Sequence, residues 1–226
     1  MFSEELLSST PYEIVEALPG LKSLALIIKF HKENGDSFGL YRPEQGVMLS
    51  VDPRIPKPRE LYLDCAFSDQ CLSLGWDHVV PVYEWSLEEG DRGVIRPYWP
   101  KVGQMQIYHF KKEKLLAGDA HLWKQIAVAD YVFGVGDRVS NDFLVTEDGI
   151  KVADSGYSFL PGLDFVGQQS IVRECLLGES IESDEQLLSD LEKISSSDVN
   201  SPHLTDENKY WVTKRAEEIL KRKVII

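Results

Sequence analysis

The feature that most constrains the fold is a change of pattern near the middle of the chain. The first hundred residues read mainly as short apolar strands separated by turns, and the remainder reads mainly as amphipathic helices. Strands grouped ahead of helices are typical of an α+β protein. The sequence therefore predicts one α+β domain with two lobes, the first over residues 1–100 and the second over residues 101–226.

The first lobe is predicted to be an antiparallel sheet with one helix. An apolar run at 24–31 is followed by a turn with the Asn34-Gly35 signal and by a returning strand at 38–42, which is the pattern of a hairpin. The helix is predicted at 60–74 and ends at Gly75. Further strands are predicted at 12–18, 79–85 and 93–98.

The second lobe is predicted to be mostly helical, with one short hairpin. Helical patterns cover 119–133 and 183–194, the latter with a capping box of Ser183 and Gln186, and Thr205 caps a last helix. Strand signals at 143–146 and 150–153 flank the turn Glu147-Asp148-Gly149 and predict the hairpin.

Charge and cysteine content narrow the classes of function. Acidic residues outnumber basic ones 37 to 24, for a formal net charge of −13, so nucleic-acid binding is disfavoured, whereas a local pocket for a small anion stays open. The longest aliphatic run, residues 24–28, is too short to span a bilayer, and the acidic start is unlike a signal peptide. Cys65, Cys71 and Cys175 form no CxxC pair, so no disulfide framework or zinc site is indicated. We predict a cytoplasmic protein without a membrane span.

The segment richest in chemical groups is DYVFGVGDRVSNDFLV at residues 130–145, followed by VADSG at 152–156. A helix runs into a glycine-punctuated loop that carries Asp137, and Asp142 and Asp154 lie on either side of the hairpin. Phosphoryl transfer requires one carboxylate to orient the attacking hydroxyl and at least two oxygen ligands for Mg²⁺. A hairpin between two acids is a compact way to aim both at one point.

This segment resembles the catalytic region of the atypical kinases, the phosphatidylinositol 3-/4-kinase-like superfamily with its HipA-like and secretory casein-kinase-like branches. Their pattern is approximately Gly-Asn-x-Asp-Arg-His-x-x-Asn/Glu, a hairpin and Asp-x-Gly. The resemblance implies that Asp137 is the catalytic aspartate and that Asp142 and Asp154 bind the metal. Asn141, one place before the expected position, is a further candidate ligand. Val135 and Val139 depart from the pattern, in which Asn and His are usual.

The first half supports the same resemblance. Residues 39–46, GLYRPEQG, are similar to a strand that ends in Tyr-Lys-Pro in bacterial relatives, and LGWDHVVP at 74–81 is similar to their Leu-Gly-Trp-x-x-Val-Pro. Arg42 then stands where a phosphate-contacting lysine is expected, and Glu60 stands where its ion-pair partner is expected. Lys22 and Ser23 lie in a turn that would cover the phosphates. Arginine presents its charge as a planar fork rather than as a compact ammonium, so the exchange bears on activity.

The resemblance implies a kinase-like fold with ATP and Mg²⁺ between the lobes, near a hinge at residues 98–101. The function it implies is transfer of a phosphoryl group to a hydroxyl of a protein or small-molecule acceptor. One alternative is a pseudokinase, a nucleotide-binding or protein-interaction module, which Arg42, Val135 and Val139 favour. A second alternative is a nucleotide-independent interaction domain that uses the polar loop at 195–202 and the last helix.

Overall fold

The computed structural model describes residues 2–19, 24–33, 35–46, 58–88, 90–100, 102–162, 169–196 and 199–226. Within them the strands are β1 (Tyr12–Pro19), β2 (Leu24–Phe30), β3 (Ser37–Pro43), β4 (Tyr83–Trp85), β5 (Gly93–Pro97), β6 (Gly103–Gln104), β7 (Asp137–Arg138), β8 (Phe143–Thr146), β9 (Gly149–Val152) and β10 (Gln169–Ser170). The helices are α1 (Glu4–Ser9), α2 (Arg59–Ser73), α3 (Lys112–Ala117), α4 (Ala120–Val132), α5 (Ile171–Leu176), α6 (Glu185–Ser196) and α7 (Asp206–Arg222).

The first lobe contains an antiparallel sheet with the strand order β1-β2-β3-β5-β4. The predicted sheet is thus confirmed. One face of the sheet carries an aromatic core in which Phe30, Tyr41 and Ile95 are fully buried. The other face packs against α2, where Val94 of β5 and Leu61 of α2 belong to one buried cluster.

The prediction of a single helix in this lobe was incomplete, because α1 also packs on the sheet. Leu6 of α1 is buried in the same cluster as Phe30, and the Ser3 side chain accepts a hydrogen bond from the Leu6 N–H at the start of the helix. A helix of six residues holds fewer than two turns, too short for its apolar spacing to be recognised.

Helix α2 lies between the two lobes and is buried on two sides. Leu61 and Cys65 pack toward the sheet, whereas Leu63 and Phe67 belong to the core of the second lobe. The helix ends before Gly75, whose φ of +79° lies in the left-handed region that glycine adopts without steric cost. Because α2 contacts both lobes, a side chain on it can reach the junction between them.

The second lobe is built around α4, which is buried along most of its length. Its core is completed by apolar side chains from α5, α6 and α7, among them Val172, Leu187 and Val212. Trp76 is buried beside this core, and its indole N–H donates a hydrogen bond of 2.9 Å to Asp190 on α6. No helix in the described ranges is long and apolar enough to traverse a bilayer.

Two sequence predictions about local structure need correction. The strand predicted at 79–85 begins only at Tyr83, and Val79 makes an isolated bridge to Val152 instead. The helix predicted from Ser183 begins at Glu185, and the Leu187 N–H is capped by the Asp184 carboxylate at 3.1 Å. The predicted hairpin forms as β8 and β9, and β6 adds a third strand to it.

Candidate active site

Asp137 lies on the short strand β7, which follows α4 after four loop residues and pairs in parallel with β10. Its side chain is partly exposed, whereas Arg138 beside it is fully buried. Alternation along a strand accounts for this difference, because successive side chains point to opposite faces. The carboxylate therefore lies on the opposite face of β7 from the buried Arg138, and its charge adds to burial in raising the pKa of the Asp142 carboxyl.

Arg138 ties the loop of Asp137 to the segment of Asp154. Its guanidinium contacts the buried Asp130 carboxylate at 3.1 and 3.2 Å. It also donates to the Ala153 carbonyl at 2.8 Å and to the Ser155 hydroxyl at 2.9 Å. The sequence motif marked Arg138 only as the neighbour of an aspartate, but in the structure it fixes the two acidic segments relative to each other.

Asp142 is the last residue of the 3₁₀ turn Ser140–Asp142 and directly precedes β8. Its carboxylate accepts a hydrogen bond of 2.8 Å from the Val139 N–H, and its carbonyl accepts one of 2.9 Å from the Ala153 N–H. Burial raises the pKa of the Asp142 carboxyl to about 7, and the nearby Asp154 charge acts in the same direction. The structure thus brings Asp142 close to Asp154, whereas the side chain of Asn141 is exposed on the same turn.

Asp154 has an unusual backbone conformation. Its φ of +58° lies in the left-handed region, which aspartate tolerates better than most residues but which still carries strain. Its carboxylate is exposed and lies 3.6 Å from the nearer guanidinium nitrogen of Arg42. Strained residues of this kind concentrate at functional sites because the surrounding structure must hold them in place.

Arg42 is the centre of the cluster that joins the lobes. Its guanidinium lies 3.9 Å from Glu60 and 4.0 Å from Asp64, both on α2, in addition to its contact with Asp154. The pairing of Arg42 with Glu60 that the sequence resemblance implied is present in this geometry. Asp64 was missed, although its position four residues after Glu60 places both carboxylates on the same face of a helix.

Asp64 connects this cluster to the segment that follows Asp154. It is buried, and its carboxylate accepts a hydrogen bond of 2.8 Å from the Ser155 N–H. Burial raises the pKa of the Asp64 carboxyl, and the charge of Asp154 raises it further, while Arg96 and Arg42 lower it. Arg96 on β5 lies on the α2-facing side of the sheet with Arg42, since Leu40 pairs with Arg96 and Arg42 with Val94.

One nitrogen of the Arg96 guanidinium can still donate hydrogen bonds to a ligand. Its Nη1 atom is buried and has no hydrogen-bond partner among the described residues. A buried donor without a partner costs about 1–3 kcal/mol relative to a satisfied one. Arg96 is therefore a second cation that can serve an anionic ligand at the lobe junction.

Gly156 is required by a close approach of two backbones. A Cβ atom added at this position would lie 2.6 Å from the Glu60 carbonyl oxygen, well inside contact distance. Any larger residue would push α2 away from the Asp154-Ser155-Gly156 segment. The glycine of this motif thus permits Glu60 and Asp64 to reach Arg42 and Asp154.

The remaining predicted features lie at the edges of this cluster. Lys22 and Ser23 fall outside the described residues, as does Lys101 of the proposed hinge. At the hinge, the Tyr98 N–H donates to the Phe38 carbonyl at 2.9 Å. A cavity of about 460 Å³ lies between the hinge and the turn of the hairpin, lined by Trp99, Val102, Val145, Thr146, Glu147 and Asp148.

The acidic residues fit a magnesium ion in number and type. Within the described ranges, no three His, Cys, Asp or Glu side chains are arranged as a complete metal site. Mg²⁺ in nucleotide sites is usually bound by one or two carboxylates, and phosphate oxygens and water complete its shell. The pair of Asp142 and Asp154 meets that requirement in number and type, and the hydrogen bond from the Ala153 N–H to the Asp142 carbonyl places their backbone segments side by side.

Comparison with known proteins identifies the fold. No protein-family model matches the chain, and no curated protein matches its sequence. The chain is similar to the crystal structure of the Helicobacter pylori proinflammatory kinase CtkA, with a TM-score of 0.50 at 13% identity over 96% of this chain and 93% of that one. It is also similar to the Golgi casein kinase, with a TM-score of 0.53 at 12% identity over 96% of this chain and 73% of that one.

At such low sequence identity, these structural similarities establish the fold alone. They confirm the expectation of an α+β chain with a kinase-like arrangement, an antiparallel sheet in the first lobe and helices in the second. The narrower assignment to the phosphatidylinositol 3-/4-kinase-like or HipA-like branch stays a prediction. The chain has a kinase-like fold.

Proposed function

We propose that this chain is a phosphotransferase that uses ATP and Mg²⁺ and transfers a phosphoryl group to a hydroxyl of a protein or small-molecule acceptor. The observation that carries the proposal is the convergence of Arg42, Glu60, Asp64 and Asp154 where the lobes meet, with contacts of 3.6–4.0 Å to Arg42. Acidic and basic groups brought together from three separate segments match the needs of phosphoryl transfer, which depends on positioning and charge stabilisation.

Each residue has a role that follows from its chemistry. Asp137 would accept a hydrogen bond from the acceptor hydroxyl and so orient its oxygen. Asp142 and Asp154 would hold Mg²⁺, which when bound neutralises charge on the nucleotide phosphates. Arg42 would donate to phosphate oxygens while Glu60 keeps its side chain in place, and Lys22 and Ser23 would cover the phosphates from the turn before β2.

The proposal is tested by thermal unfolding with ATP and MgCl₂. Millimolar nucleotide at about ten times its dissociation constant contributes about 1.4 kcal/mol, which is a rise of roughly 3–6 °C for a domain of this size. Asp154→Ala should abolish the Mg²⁺-dependent rise. Glu192→Ala, which removes an exposed acid from α6, is the matched control and should leave the rise unchanged.

Two outcomes would contradict the proposal. Absence of any shift in the wild-type protein would remove the nucleotide site. A shift that is the same in the Asp154→Ala variant would show that nucleotide binds somewhere other than the cluster around Arg42.

A catalytically weak pseudokinase is the second candidate function, and the contact between Arg42 and Asp154 favours it. The guanidinium neutralises the carboxylate that would bind the metal, and arginine stands where the resemblance places lysine. Phosphate release and self-labelling with radioactive ATP separate the two functions. Binding without turnover supports the pseudokinase, and turnover that is lost in Asp154→Ala supports the enzyme.

A further inference from the structure

Asn208, in the first turn of α7, links two segments that bear on the active site. It is the third residue of that helix, and its Oδ1 accepts hydrogen bonds from the Thr205 N–H at 3.0 Å and the Thr205 hydroxyl at 2.8 Å. The Thr205 hydroxyl in turn accepts from the Asn208 N–H at 3.2 Å. This reciprocal cap fixes the backbone and the side chain of Asn208 together.

The oxygen of the Asn208 amide also reaches α2. Arg59, the first residue of that helix, donates from Nη2 to Asn208 Oδ1 at 2.7 Å. Arg59 directly precedes Glu60, which contacts Arg42. The start of α2 is therefore tied to α7 at the end that carries the acidic partners of Arg42.

The nitrogen of the same amide reaches the segment after Asp154. Asn208 Nδ2 donates to the Phe159 carbonyl at 2.8 Å. Phe159 has a φ of +59°, a conformation that costs a non-glycine residue energy, and its N–H donates to the Phe133 carbonyl at 2.6 Å. An arginine can only donate and a carbonyl can only accept, so the two contacts fix the orientation of the amide.

We propose that Asn208 is a positioning residue of the active site, which holds α2 and the segment after Asp154 in fixed relation through the oxygen and the nitrogen of its side-chain amide. The inference rests on the proposed nucleotide site. The two segments meet again at Gly156, which lies against the Glu60 carbonyl, and at Ser155, which donates to Asp64. The contacts of Asn208, Gly156 and Ser155 are thus three connections between α2 and this segment, and that of Asn208 lies farthest from Arg42 along both.

Asn208→Asp separates this role from a structural one. Aspartate keeps the acceptor for Thr205 and Arg59, and its charge suits both the arginine and the N-terminus of α7, so the melting temperature should stay the same or rise. It loses the donor to Phe159 and sets a carboxylate against that carbonyl. We expect the affinity for ATP with Mg²⁺ to fall about tenfold, the loss typical of one hydrogen bond.

The control variant is Asn200→Asp, which makes the same change of charge at an exposed position. It should leave both affinity and melting temperature unchanged. Hydrogen exchange of the peptide that contains Ser155 is the second measurement, made on the protein without nucleotide. Exchange should be faster in Asn208→Asp than in the wild-type protein, because the Ser155 N–H loses its fixed distance to Asp64.

The outcomes distinguish the two proposals. If the wild-type protein binds no nucleotide, the proposed function fails, and the exchange at Ser155 still decides whether Asn208 positions the segment. Unchanged exchange together with unchanged affinity in Asn208→Asp would overturn the inference. A fall in melting temperature that accounts for the loss of affinity would also overturn it, since Asn208 would then be a structural residue only.

Discussion

Arg138→Met tests whether the buried cross-link beneath Asp137 holds the two acidic segments together. In the folded protein Arg138 is 1% exposed and Asp130 is 1% exposed, so neither charge is solvated by water. The substitution keeps an unbranched apolar stem of similar shape and removes the guanidinium. Asp130 then remains as a buried carboxylate that has lost its contact with the Arg138 guanidinium, and the Ser170 hydroxyl still donates to it.

The structure allows the loss to be estimated. Breaking a buried ion pair by removing one partner costs about 3–5 kcal/mol. The Ala153 carbonyl also loses its donor at 2.8 Å, which adds about 1 kcal/mol. The expected total is about 4–6 kcal/mol, a fall in melting temperature of roughly 15 °C at 2–4 °C per kcal/mol.

The assay is urea unfolding followed by tryptophan fluorescence, with Arg222→Met as the control. Arg222 pairs with Glu218 one turn away on the surface of α7, at 2.6 Å, and such exposed pairs contribute at most about 1 kcal/mol. The double variant Asp130→Asn/Arg138→Met should lose less free energy of unfolding than the two single variants lose together. The reason is that the double variant buries neither of the two charges.

If Arg138→Met lowers the free energy of unfolding by less than about 1 kcal/mol, this reasoning is refuted. Such a small loss would mean that water or another cation compensates Asp130 once Arg138 is removed. Additive effects in the double variant would contradict the proposed coupling between the two side chains.

Two further substitutions test the core of the second lobe. Trp76→Phe removes the indole donor to the buried Asp190 and should lower the free energy of unfolding by about 2–4 kcal/mol, measured in urea; no change would mean that Asp190 is satisfied without it. Burial lowers the pKa of His78 to about 4, so the unfolded chain binds a proton from about pH 6.5 downward while the folded chain does not, and stability falls as the pH drops. Between pH 7 and pH 4.5, the free energy of unfolding of His78→Gln should therefore fall by about 2–3 kcal/mol less than that of the wild-type protein. Equal falls in the two proteins would show that His78 is protonated in the folded state.

The strands and long helices could be predicted because their patterns are local. The predicted strand at 143–146 coincides with β8, and the predicted hairpin partners at 24–31 and 38–42 form the neighbouring strands β2 and β3, while Asn34 of the predicted turn lies outside the described residues. Helix α2 was predicted as the helix of the first lobe, but it is buried on two sides because it lies between the lobes. The spacing of apolar residues along a helix reveals one buried face opposite one exposed face, so it does not reveal that a helix is packed on both sides.

The candidate site could be predicted only where a motif named its residues. The acids at 137, 142 and 154 and the pair of Arg42 and Glu60 follow from short patterns in the sequence. Asp64, Arg96 and Asn208 belong to no motif, and their roles depend on distances between segments that are far apart in the chain. Asp64 alone had a local signal, its position four residues after Glu60 on a helix.

The guanidinium of Arg42 has a consequence for chemical labelling. Reagents that acylate an active-site amine through a bound nucleotide require a nucleophilic nitrogen with an available lone pair, which lysine provides when it loses its proton. An arginine stays protonated in proteins and its charge is delocalised over three nitrogens. Such reagents would not acylate Arg42, so a survey that relies on acylation at this position would not detect this chain even if it binds nucleotide as proposed.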